Sequence, residues 1–140
     1  MNMVAPARTV MQRPYRISLI AGPAAAAQAR RHICAIIASW EAPVDSDTAA
    51  LLTSELVTNA IKHGSLDHDG IQLVVSWAYS QLRVEVHDRS KSGPVLVDAP
   101  WDAEAGRGLL LLASLCTSWG WRQTMTGKAV YFTLAPEDGR

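Results

Sequence analysis

Apolar and polar residues alternate without a break over Leu82–Asp88 (L-R-V-E-V-H-D). Leu82, Val84 and Val86 fall on one face, and Arg83, Glu85 and His87 on the other. Side chains of an extended chain point to opposite faces with period two, so the segment predicts a half-buried strand. Ile71–Tyr79 precedes it across a turn at Ser80-Gln81, which predicts an antiparallel pair. Tyr15–Ala21 begins with the same alternation and stops at Gly22-Pro23, a strong local breaker. Trp119–Gln123 and Ala129–Leu134 predict two closing strands around a turn at Thr126-Gly127-Lys128.

Two stretches carry the helical period instead. Ala24–Trp40 is rich in helix formers, follows a proline suited to a first turn, and repeats Ala29, Ile33, Ile36, Ile37 and Trp40 at helical spacing. Pro43 marks its break. Asp45, Ser46 and Asp47 then offer an N-cap and an acidic first turn for a second helix running to about His63. Between Arg89 and Ala105 the pattern dissolves around Ser90, Ser92, Gly93, Pro94 and Pro100, and so long an irregular stretch in a compact domain predicts a lid. Gly106-Arg107-Gly108 opens a short apolar helix, Leu109–Leu115. Hairpin-joined strands and few helices predict an α+β fold. We expect a two-layer α/β sandwich, with helices on one face of a mixed, mostly antiparallel sheet.

Composition narrows the function classes. The 140 residues are 49% apolar and 19% charged, as in ordinary globular proteins, and predict one domain over 14–136 between tails at 1–13 and 137–140. Thirteen basic residues balance thirteen acidic ones with no long basic run, so the electrostatic footprint of direct nucleic-acid binding is missing. No segment approaches the ~18 uninterrupted apolar residues of a membrane span. Residues 1–13 lack a secretory apolar core, and Cys34 and Cys116 stand apart without a CxxC pair, so we expect a cytoplasmic protein with reduced thiols.

The candidate chemistry starts on the second helix. Glu55, Asn59 and His63, spaced i, i+4, i+8, stack along one face, while Leu52, Leu56, Val57, Ala60 and Ile61 can pack the helix into a core. A carboxylate and a carboxamide about 6 Å apart along the axis suit a hard cation and the phosphates it carries. The same row also reads as a solvated polar stripe. Gly106-Arg107-Gly108 ahead of Leu109 allows close backbone approach and leaves free N–H groups for an anion, although such glycine pairs also make plain turns. Asp88 ends its strand as a carboxylate acceptor or as a turn cap.

The stretches S-E-L-V-T-N-A-I-K-H, L-R-V-E-V-H-D and G-R-G-L-L-L-L, in this order and spacing, resemble the gyrase, histidine-kinase and MutL superfamily of ATPases. The nearest likeness is to the small anti-sigma-factor serine kinases of the actinomycete branch, and it covers about Tyr15–Leu134. The resemblance implies ATP held between helices, sheet and lid. It implies that Asn59 holds Mg²⁺ bridging the phosphates, that Glu55 is the general base, and that Asp88 accepts from the adenine amino group. Gly106 and Gly108 would hinge the lid, with Gly93, Arg107 and Leu109 beside the nucleotide. His63 reads either as part of this set or as a cap of the helix C-terminus.

Two departures stand out. Family members follow the adenine Asp with glycines, whereas Arg89-Ser90-Lys91-Ser92 intervenes here before Gly93. Their last hairpin often carries a Thr near the base, where this chain has Gly127-Lys128-Ala129. Lys128 accordingly reads as a phosphate-facing residue or as a solvated turn lysine. Trp101 in the lid reads as a partner anchor or as a pin that closes it. The activity implied is phosphorylation of a serine or threonine on a small antagonist protein that competes with a sigma factor, with a homodimer as the family's assembly. A non-catalytic, ATP-gated binding module of the same fold is the alternative, and a degenerate fold without nucleotide is a third.

Overall fold

The computed structural model describes residues 12–63, 70–89 and 114–137. In chain order these form β1 (Gln12–Ile20), α1 (Ala25–Trp40), α2 (Ser46–His63), β2 (Gly70–Ala78), β3 (Gln81–Asp88), β4 (Ser118–Gln123) and β5 (Lys128–Leu134). The five strands make one sheet in the order β1-β2-β3-β5-β4. Every pairing among the described residues is antiparallel, the hairpin-rich limit of the mixed sheet expected.

Alternation builds the sandwich. Ile17 and Leu19 of β1, Leu73, Val75 and Trp77 of β2, Leu82, Val84 and Val86 of β3, and Val130, Phe132 and Leu134 of β5 are all buried in one cluster. The same cluster includes Ala29, Ile33, Ile36 and Ile37 of α1 and Leu52, Leu56, Val57 and Ala60 of α2. Both helices therefore lie on one face of the sheet. The other face carries Arg16, Ser18, Gln72, Arg83, Glu85, His87 and Tyr131. Arg83 stacks 3.8 Å over the Tyr131 ring, and that ring lies over Gly120, where a Cβ would meet the phenol oxygen at 2.8 Å.

Local chemistry places the ends. Asp45 caps α2: its Oδ2 accepts from the Thr48 backbone N–H at 3.0 Å and from the Thr48 hydroxyl at 2.6 Å. These two bonds hold the Asp45 carboxyl below its ordinary pKa. α1 closes on Glu41 in the left-handed region, φ 52°, with the Ala42 N–H reaching back to the Ile37 carbonyl at 3.0 Å.

Two boundaries differ from the sequence reading. β1 begins at Gln12, inside the stretch read as a tail, with Pro14 within it. Proline is tolerated there because β1 is an edge strand and its register shifts between Gln12 and Tyr15. The β2–β3 turn is centred on Tyr79-Ser80, not Ser80-Gln81, since Ala78 pairs with Gln81 and both turn residues have positive φ. Of the tryptophans in the sheet, Trp77 is core at 3% exposure, Trp119 packs beside the core, and Trp121 lies exposed on the edge strand β4.

Candidate functional site

The second helix presents Glu55 and Asn59 on one face, each partly buried, next to the buried Leu52, Leu56, Val57 and Ala60 that fix its rotation. Neither side chain has a hydrogen bond or ion pair among the described residues, so both keep their capacity for an outside group. Partial burial sets them apart from a fully solvated stripe. His63 is the last residue of the helix. Among the described residues no three His, Cys, Asp or Glu side chains gather as a metal cluster. A cation here would rest on the Asn59 carboxamide oxygen and on oxygens its ligand brings, a donor set suited to magnesium.

Asp88 closes β3 in phase with Val84 and Val86, hence on the face that carries the helices. Its register partner is Lys128, the first residue of β5. The Lys128 Nζ donates to Asp88 Oδ1 at 3.1 Å and stands 2.9 Å from Oδ2. Both side chains are buried. Lys128 is therefore not a solvated turn lysine: the period that buries Val130 and Phe132 also turns residue 128 inward. Gly127 makes this possible, because any Cβ there would collide with the Asp88 carbonyl oxygen and the Arg89 backbone. The Thr124 hydroxyl accepts from the Gly127 N–H at 3.0 Å and shapes the turn.

On the opposite face, Glu85 joins a charge network that the sequence reading missed. His87 Nε2–H donates to Glu85 Oε1 at 2.8 Å, Arg83 Nε–H donates to Oε2 at 2.9 Å, and Arg122 stands 3.7 Å away. The His87 bond, with the two arginines, lowers the Glu85 pKa to about 2. The available signal was the i, i+2 spacing of Arg83, Glu85 and His87 on one strand face.

Two cavities lie near these residues, although neither is lined by Glu55 or Asn59. One of about 300 Å³ is lined by Ser18, Gln72, His87, Asp88, Arg89 and Thr126 among others, at the end of the sheet where Asp88 sits. Another, of about 350 Å³, lies between the start of α1 and the end of α2, against Pro23, Ala26, Thr58 and Lys62. Gly93, Gly106, Arg107, Gly108, Leu109, the lid and Trp101 lie outside the described residues. Cys34 and Cys116 are free thiols, partly buried, and burial raises the Cys116 pKa.

Two helices packed on one face of a five-stranded antiparallel sheet make a two-layer α+β fold. Residues 20–134 match the histidine kinase-like ATPase domain, and the chain belongs to that family. Among solved structures, the chain is similar to the RsbU and RsbW domains of Rv1364c from Mycobacterium tuberculosis. The TM-score is 0.66 at 22% identity, over 89% of this chain and 33% of that one. The likeness is one of fold, and this chain spans a third of that structure's length. No curated protein matches the sequence. No helix among the described residues is long and apolar enough to cross a membrane.

Proposed function

We propose that this protein is an ATP-dependent serine/threonine kinase of the anti-sigma-factor type, acting on a small antagonist protein. The observation that carries the reading is the α2 face, where Glu55 and Asn59 stand one turn apart, partly buried and without partners among the described residues. Membership of the histidine kinase-like ATPase family supplies the ATP. The RsbW domain in the similar structure supports the anti-sigma class.

In this reading Asn59 would hold Mg²⁺ at the phosphates, and Glu55 would take the proton from the attacking hydroxyl. The new oxygen–phosphorus bond forms at the terminal phosphate as ADP leaves. Positioning and charge neutralisation, not covalent catalysis by the protein, supply most of the acceleration in such transfers. The unphosphorylated antagonist would compete with a sigma factor for the kinase. The protein would act in the cytoplasm, as a homodimer.

Incubation with γ-labelled ATP and a candidate antagonist is expected to yield phosphoserine or phosphothreonine on the antagonist. Glu55→Gln should reduce transfer by about 10²-fold or more while ATP affinity holds. Transfer undiminished in Glu55→Gln, or ATP binding without any transfer by wild type, would leave the ATP-gated binding module as the better reading.

A further inference from the structure

Lys128 occupies an unusual position for a lysine at a hairpin end. Such side chains ordinarily run their stems along the surface and leave the ammonium in water. Here the side chain is 4% exposed, and that of Asp88 is 1% exposed. The ammonium contacts both carboxylate oxygens, at 3.1 and 2.9 Å. Removing an ammonium from water costs several kcal/mol unless a counter-charge compensates, and Asp88 is the counter-charge at hand. Three features of the backbone hold the arrangement: the Asp88–Lys128 register, the parity of β5, and the close approach at Gly127.

We propose that Lys128 determines nucleotide affinity at the base position, as a tethered ammonium seated on the carboxylate that a purine amino group would otherwise engage. The inference rests on the reading of Asp88 as the base acceptor. The ammonium brings a full positive charge to the carboxylate where a base amino group is neutral, so an incoming base meets a stronger, tethered competitor. Only the fraction of molecules whose ion pair is open can offer Asp88 to a base. The apparent dissociation constant is raised by the inverse of that fraction. In this arrangement Lys128 opposes the nucleotide at the base end of the site, and does not contact its phosphates.

Titration calorimetry with Mg-ATP on wild type and Lys128→Met, with thermal melts to establish folding, tests the proposal. Methionine keeps the length of the side chain and removes the charge. The expected result is at least tenfold tighter ATP binding by Lys128→Met. Equal or weaker binding by the folded variant, beside measurable wild-type binding, overturns the inference and leaves the kinase reading standing. No binding by either folded protein removes the ATP reading itself, and the inference with it. Amine labelling of the wild-type protein, read by mass spectrometry, does not depend on the variant's folding. Lys128 should label poorly in the free protein and several-fold more at saturating Mg-ATP. Continued protection with ATP bound would overturn the proposal.

Discussion

His87 Nε2–H donates to Glu85 Oε1 at 2.8 Å across one residue of β3, both side chains standing on the sheet face away from the helices. With Arg83 on the other carboxylate oxygen, three successive outward residues of one strand are tied together, and Arg83 continues the row onto the Tyr131 ring. The cross-strand step of this row, Arg83 with Tyr131, is the kind of pair that stabilises a sheet.

The Glu85 pKa, lowered to about 2 by the His87 hydrogen bond and the neighbouring arginines, gives the first prediction. A carboxyl depressed in the folded state stabilises above its unfolded pKa, and that contribution fades as pH falls through the folded value. The network's contribution should thus be complete above about pH 4.5 and lost on approach to pH 2, with a size of about 2 kcal/mol after allowance for solvent screening. Urea unfolding of wild type and Glu85→Gln at several pH values checks this: the gap should be widest near neutrality and close in acid. A gap that does not change with pH would contradict it.

Asp88→Ala strands the Lys128 ammonium in a buried position. Breaking one half of a buried pair typically costs about 3–5 kcal/mol, whereas replacing both halves with apolar groups costs far less. Chemical denaturation should therefore find Asp88→Ala strongly destabilised, and the double variant Asp88→Ala/Lys128→Met more stable than that single variant. Additive losses would show that the two residues do not act as a pair.

The Tyr79-Ser80 turn places two non-glycine residues at φ 55° and 60°. Two-residue hairpins with both centres left-handed prefer Asn-Gly, and each misplaced residue stores about 1 kcal/mol or more. Tyr79→Asn/Ser80→Gly should raise the melting temperature by about 3 °C or more. Tyr79 is 90% exposed, so little packing is lost by removing it.

Most of this architecture was readable from periodicity. The alternation of Leu82–Asp88 places β3, its faces and the direction of Asp88 without reference to anything else. The apolar rows Ala29–Ile33–Ile36–Ile37 and Leu52–Leu56–Val57 place the helices on that sheet. Asp45 was legible as a cap because its carboxylate has one local task. The pairing of Lys128 was not, since its partner depends on which residue of β3 it faces, a long-range register that local composition does not encode. Its inward direction was open to reading from its parity with Val130, Phe132 and Leu134. Residues 1–13 read as a tail, but an edge strand can absorb the N–H donor that Pro14 lacks, so β1 starts at Gln12 and runs through it. The roles of Glu55 and Asn59 are a matter of chemistry, for which spacing supplies candidates and experiment supplies the answer.

The most direct measurement is a calorimetric titration of the wild-type protein and Asn59→Ala with ATP in the presence of magnesium. Saturable binding by wild type, weakened at least tenfold in Asn59→Ala (about 1.4 kcal/mol), is the expected result. No saturable binding by the folded wild-type protein, or binding undiminished in Asn59→Ala, would contradict a nucleotide held through the face of α2.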